Sequence, residues 1–140
     1  MAVATTRLKL ETKGGGQIIE ITQEVLRRVA DSKIRHGIVT VFLTGTTAGV
    51  GIMELEPGTV KDLQAAMERL APRGATYQHN AINAGETNGH SHLQASLFGQ
   101  SLVVPVEGGK PVLGTWQRII VMDFDSRSRT REIVVQTMGE

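Results

Sequence analysis

Hydrophobic and polar positions change period several times along this chain, and each change marks an element. Over residues 3–11, Val3, Thr5, Arg7 and Lys9 are set against Ala4, Thr6, Leu8 and Leu10, the partial two-residue alternation of a strand. Gly14-Gly15-Gly16 breaks that pattern and predicts a hairpin into a second strand over 17–21. Thr22 is placed to cap a helix running to about Ile34. Its apolar positions Val25, Leu26 and Val29 follow helical spacing, Arg27, Arg28, Asp31 and Lys33 take the wet side, and Gly37 ends it. Residues 38–43 are β-branched and nearly all apolar, like a strand buried on both faces. The segment 44–49 interrupts, and 50–54 resumes as a strand. Thr59 with Asp62 three residues on resembles a capping box, and Val60, Leu63, Met67 and Leu70 then form the core stripe of a second helix stopped by Pro72 and Gly74.

Further along, 93–98 suits either a helical turn or a strand. Residues 101–106 predict an edge strand carrying Pro105, and 107–110 a turn. Residues 118–124 and 131–138 are two strong strands, and the polar, basic link 125–130 is expected to be a hairpin loop. No repeat or linker interrupts this order. The expectation is one α+β domain over residues 1–140, strand-dominated and sandwich-like, with two main helices.

Composition narrows the function classes. A net charge of +1 and 4% aromatic residues leave no electrostatic or stacking case for nucleic acid. The absence of cysteine excludes disulfides, thiolate metal sites and cysteine nucleophiles. No stretch is long and apolar enough for a membrane span or a signal peptide, so a cytoplasmic protein is expected.

The candidate chemistry lies in 77–92, which holds three of the four histidines, His79, His90 and His92. On an extended segment a His-x-His pair points both rings to one side, and a third imidazole returned by a loop would complete a three-nitrogen metal site. A solvated polar loop is the plainer alternative. Zinc is the favoured divalent ion for such a ligand set and magnesium a possible one. Glu54, at the end of a strand, is a candidate general base, and Glu56 reads as a solvated charge. The loop 44–49 reads first as a plain β-turn; the alternative is an anion cradle formed by the Thr44, Thr46 and Thr47 hydroxyls and glycine-freed N–H groups. Asn83, Gln117 and Arg118 are further candidate substrate contacts. Trp116, the only tryptophan, reads as packing. His36 is expected to be structural or exposed, and Arg127, Arg129 and Arg131 a solvated hairpin tip or an anion clamp.

Three segments together carry a resemblance: Phe42-Leu-Thr-Gly-Thr-Thr-Ala-Gly-Val50 with Glu54, then 88–106, beginning Asn-Gly-His-Ser-His, then Leu113-Gly-Thr-Trp-Gln117. In order and spacing they resemble the YjbQ family, whose members bear the name secondary thiamine-phosphate synthase, and the likeness covers nearly the whole chain. The resemblance implies a homotrimer with a site between subunits near the histidines. It also implies a weak thiamine-phosphate synthase activity acting on small phosphorylated substrates, with His79, His92 and Glu54 as catalytic residues. Many members have histidine where this chain has Gly45 and asparagine where it has Met53; this chain is similar to a variant associated with archaea, in which His90 is expected to replace the lost imidazole. A metal-dependent hydrolase, with three imidazoles on zinc and Glu54 as base, and a non-catalytic trimeric binding protein are the alternatives.

Overall fold

The computed structural model describes residues 1–140. Eight strands and four helices follow one another as β1 (Ala2–Thr12), β2 (Gln17–Glu20), α1 (Thr22–Ser32), β3 (Gly37–Leu43), β4 (Ala48–Met53), α2 (Pro57–Leu70), α3 (Gln78–Ile82), α4 (Gly89–Phe98), β5 (Ser101–Glu107), β6 (Lys110–Pro111), β7 (Arg118–Asp123) and β8 (Arg129–Gly139). They form two antiparallel sheets, one in the order β1-β8-β3-β5-β6 and the other β2-β7-β4. The α+β, strand-dominated expectation holds.

Strand β7 explains the layering. Ile119 and Val121 point to one side and join a buried cluster with Val39, Val41, Ile133 and Val135 of the facing sheet, together with Val25 and Val29 of α1. Ile120 and Met122 point to the other side, where, with Phe124 just beyond the strand, they pack on Met67 of α2 and Ala95 of α4. The three-stranded sheet is thus covered on both faces, which is why its central strand reads as an unbroken apolar run. Close approach of α4 to this sheet requires Gly49 and Gly51: a Cβ would lie 2.3 Å from the Gly99 carbonyl oxygen at the first and 2.7 Å from Phe98 Cζ at the second.

Both expected hairpins are replaced by crossings between sheets. β1 pairs with β8 and β2 with β7, so the glycine run 14–16 carries the chain from one sheet to the other. The link 124–128 does the same between β7 and β8. The reason lies in the inward faces. Continuing the Ile119/Val121 side of β7 brings Asp123 into the space between the sheets, and continuing the Ile133/Val135 side of β8 brings Arg131 to meet it. Arg131 Nε and Nη2 donate to the two oxygens of Asp123 at 2.6 and 3.0 Å. Thr12 Oγ1 adds a hydrogen bond to the same carboxylate at 2.6 Å.

Two helix starts also differ from expectation. Thr22 is the first helical residue of α1, and its hydroxyl oxygen accepts the Ile119 N–H at 2.8 Å instead of capping. Glu56 caps α2, accepting from Gly58 N–H at 2.8 Å, with Pro57 at the first helical position. Helices α3 and α4 fill 78–82 and 89–98, where an extended segment or a solvated loop was expected through 92 and a helical turn or a strand over 93–98. Trp116, expected to pack, is 70% exposed.

Asp123 is 0% and Arg131 7% exposed, so removing one partner strands a charge in the interior. Arg131→Ala is expected to cost about 3–5 kcal/mol of stability by urea unfolding. A loss below about 1 kcal/mol, the worth of a surface pair, would contradict the inter-sheet role.

Candidate active site

Helix geometry decides which histidines meet. His90 and His92 both lie on α4, and two residues along a helix is a turn of about 200°. Their rings therefore leave opposite sides. His92 stands beside His79 of α3 with ring centroids 4.3 Å apart. His90, 2% exposed, points to the other side, into a cavity of 50 Å³ shared with Gln64, Glu68, Arg73 and Gln94. The shared direction expected of an extended His-x-His pair is thereby corrected. Nor does His90 stand in for an imidazole at position 45, because Gly45 lines the His79/His92 pocket.

That pocket, of 360 Å³, is walled by Gly45, Thr46, Thr47, His79, Glu86, Asn88, His92, Arg129 and Arg131, without one hydrophobic side chain. Its floor is the polar end of the sandwich. Arg131 Nη2 donates to Thr47 Oγ1 at 2.7 Å, and the Thr47 hydroxyl donates to Asp125 Oδ2 at 2.8 Å. Arg129 Nε donates to the same oxygen at 3.0 Å. Burial pushes the Asp125 carboxyl up, but hydrogen bonds from Thr47, Arg129 and the Ser126 N–H outweigh burial and hold it below its ordinary range. Both arginine charges are thus matched by Asp123 and Asp125, while Arg131 Nη1, beside Gly45, makes no hydrogen bond within the protein. Gly45, Thr46 and Thr47 line the pocket, and their N–H groups make no hydrogen bond within the protein.

Asn88 orients one imidazole. Its backbone carbonyl accepts the first N–H groups of α4, from Ser91 at 2.9 Å and His92 at 3.3 Å. Its side-chain Oδ1 meets His79 Nε2 at 3.1 Å. An amide oxygen only accepts, so Nε2 carries a proton. Burial lowers the His92 pKa, and neighbouring His79 lowers it further, against the Asp125 and Glu86 carboxylates and the Thr46 backbone. His92 is therefore a neutral imidazole at neutral pH.

The other expected site residues lie elsewhere. β4 and β7 pair with Ala48 opposite Asp123 and Met53 opposite Arg118, so the ladder has two ends. Thr46 and Thr47 adjoin the first end, whereas Glu54, Gln117 and Arg118 adjoin the second. Arg118 Nη1 is occupied by the Thr115 and Gln117 carbonyls at 3.1 Å each, and its Nε lies 3.5 Å from Glu20. Glu54 therefore cannot act as a base toward His79 or His92 within one chain. Asn83 caps α3 and donates to the His79 carbonyl at 2.9 Å without lining the pocket. His36 is exposed.

These placements also test the metal set. Two imidazoles adjoin and the third faces away, and no group of three histidine or acidic side chains is arranged to hold an ion. The residues do not fit the three-histidine zinc or magnesium centre expected from the sequence. Asp125 escapes the sequence analysis, and Arg131, read there as part of a solvated hairpin tip or an anion clamp, is buried in its pair with Asp123. Their signal was the persistence of the two-residue alternation past the apolar part of each strand.

A family model described as UPF0047 protein YjbQ-like matches residues 6–140. The chain belongs to the YjbQ family. Among YjbQ relatives, a UPF0047 protein of Archaeoglobus fulgidus is 42% identical over 131 residues, covering 94% of this chain and 98% of that one. A UPF0047 protein of Methanothermobacter thermautotrophicus is 39% identical, covering 100% of this chain and 95% of its own. Among solved structures, a protein of unknown function from Sulfolobus solfataricus, described as YbjQ-like, superposes with a TM-score of 0.89 at 29% identity, covering 99% of this chain and 100% of that one. A hypothetical protein from Aeropyrum pernix gives 0.90 at 31% identity, covering 98% and 99%.

Acid sensitivity follows from the buried His90 ring and the half-buried His92 ring. Burial lowers both the His90 and the His92 pKa. From about 6.5, the unfolded value, down to those lower folded values, the unfolded chain binds more protons than the folded one. Stability is therefore expected to fall as pH drops through that window. A His90→Gln/His92→Gln double variant should show a flatter Tm-versus-pH curve from pH 7 to 5 than the parent protein. An equally steep curve would contradict this assignment.

Proposed function

We propose that the His79/His92 pocket is the active site of an enzyme acting on a small phosphorylated substrate. The carrying observation is the run of three unpaired N–H groups at Gly45, Thr46 and Thr47 beside two imidazoles. Backbone donors of this kind bind phosphate oxygens without needing a free cation. The Thr46 hydroxyl and the Asn88 amide are at hand for the same oxygens. His92, neutral at neutral pH, is suited to take a proton during the reaction, with the His79 ring beside it.

The reaction we assign is transfer of the thiamine-phosphate synthase kind, joining a hydroxymethylpyrimidine diphosphate to a thiazole phosphate with release of pyrophosphate. The family resemblance supports this choice. Pyrophosphate departure calls for positive charge, which the matched arginines of one chain do not supply. We therefore propose a homotrimer in which a second copy brings the Glu54, Gln117 and Arg118 end of its β4–β7 ladder to this pocket. Exposed Trp116 beside that end, and Leu93 and Leu97 on the outer side of α4 beside His92, are apolar surfaces suited to such a contact. A second reading, hydrolysis of a phosphate ester, is favoured by the neutral state of His92, which suits a base that activates water.

The test is pyrophosphate and phosphate release with the two precursors supplied singly and together. Transfer predicts pyrophosphate release only with both; hydrolysis predicts phosphate release with one. His92→Ala should lower kcat by about 100-fold or more, whereas His36→Ala should leave it unchanged. Stoichiometric binding without turnover would overturn the enzymatic reading. A monomer by sedimentation equilibrium would overturn the trimer.

A further inference from the structure

A cavity of 820 Å³, separate from the His79/His92 pocket, lies between α1 and the turn joining β5 to β6. Helix α1 buries Thr22, Val25 and Val29 against the core. Gln23, Leu26, Arg27 and Ala30 form a second stripe at the same helical spacing and line the cavity instead. With Ile34 and Pro111 they give it an apolar floor. Four cations stand around that floor: Arg27, Lys33, Arg35 and Lys110. No carboxylate lines it. Arg27 is paired with Glu24, and the other three form no ion pair.

Two details set this groove apart from a solvated basic face. Lys33 is the only non-glycine residue with positive φ, at 62°. It occupies the left-handed position at the C-terminus of α1, where glycine or asparagine is ordinarily found. The chain thus keeps a long cation at a position its backbone would rather give to glycine, and such an outlier points to a use for the side chain. The second detail is the seating of Arg35. A Cβ on Gly109 would lie 3.4 Å from its Nη1 and one on Gly108 3.9 Å from its Nη2, so the guanidinium lies across the turn. Gly109 N–H also donates to the Arg35 carbonyl at 2.9 Å, fixing the turn against it. The negative end of the α1 dipole favours a cation near its last turn, but it does not account for cations brought from three separate elements.

We propose that this groove is a second ligand site, for a small organic polyanion with an apolar body, of which a nucleoside diphosphate is the type. The phosphates would lie against Lys33, Arg35 and Lys110, and the apolar body over Leu26, Ala30, Ile34 and Pro111. The site shares no residue with the His79/His92 pocket and does not depend on the activity proposed there.

The test is equilibrium binding of ADP and of inorganic pyrophosphate to the full chain at low and high salt. ADP is expected to bind about fivefold or more tighter than pyrophosphate, through the apolar floor, and to weaken as salt rises. Lys110→Ala and Lys33→Gly should each weaken ADP about tenfold. Lys33→Gly should at the same time raise Tm by roughly 2–4 °C, because glycine suits the left-handed position. His92→Ala should leave ADP binding unchanged. The proposal is overturned if ADP does not bind, if the Lys33 and Lys110 variants bind it as the parent does, or if His92→Ala abolishes binding.

Discussion

The bidentate contact of Arg131 with Asp123 holds the rest of this molecule in register. It joins the central strand of one sheet to the second strand of the other at the point where the apolar filling of the sandwich ends. Desolvating two charges is costly, and the cost is offset only if every remaining hydrogen-bonding position is filled. Here Thr12 and the Asp125 N–H add to the Asp123 carboxylate, and Thr47 accepts from Arg131 Nη2. The requirement fixes the loop before β4, because Thr47 must reach Arg131 and Asp125 together. It also fixes the 124–128 crossing, because Asp125 must turn back to Thr47 and Arg129. A stability device and a pocket floor are therefore the same set of atoms.

Helix α4 is the second organising element. Ser91 donates to the Phe124 carbonyl, and Gln94 Nε2 donates to the Met67 and Ala71 carbonyls at 2.9 and 3.2 Å, tying the helix to β7 and α2. Pinned on that face, it presents His92 to the threonine loop and hides His90 behind it. Ser91 also meets His90 Nε2 at 3.2 Å, and since its own proton goes to Phe124, the ring proton sits on Nε2. The His90 Nδ1 lone pair is left buried without a protein partner. This is a histidine of the interior, and its chemistry is separate from that of its neighbour two residues on.

How much of this was legible in the sequence depends on range. The strands at 38–43, 118–124 and 131–138 and the helices at α1 and α2 follow from local periodicity, which neighbouring residues encode. The family resemblance carried the α+β class and the whole-chain match. The sheet partners were not legible: two strands with a short polar link look alike whether they pair or cross, and the difference rests on Arg131 finding Asp123 across the sandwich. Residues 77–92 were misread for a related reason. Their glycines and asparagines suggest extended chain, yet Asn88 and Asn80 place their amide oxygens on His79 and on the Gly89 N–H and so start the helix. That helical period, not the spacing of the histidines, separates His90 from His92. Composition alone leaves the threonine loop open between a plain β-turn and an anion cradle.

Chemical-shift mapping of the isotope-labelled protein titrated with inorganic phosphate addresses the central claim most directly. The account predicts saturable shifts at the Gly45, Thr46 and Thr47 amides and at the His79 and His92 rings, with the His90 ring unmoved. Shifts of His90 in concert with His92, or no response from the 45–47 amides, would contradict it.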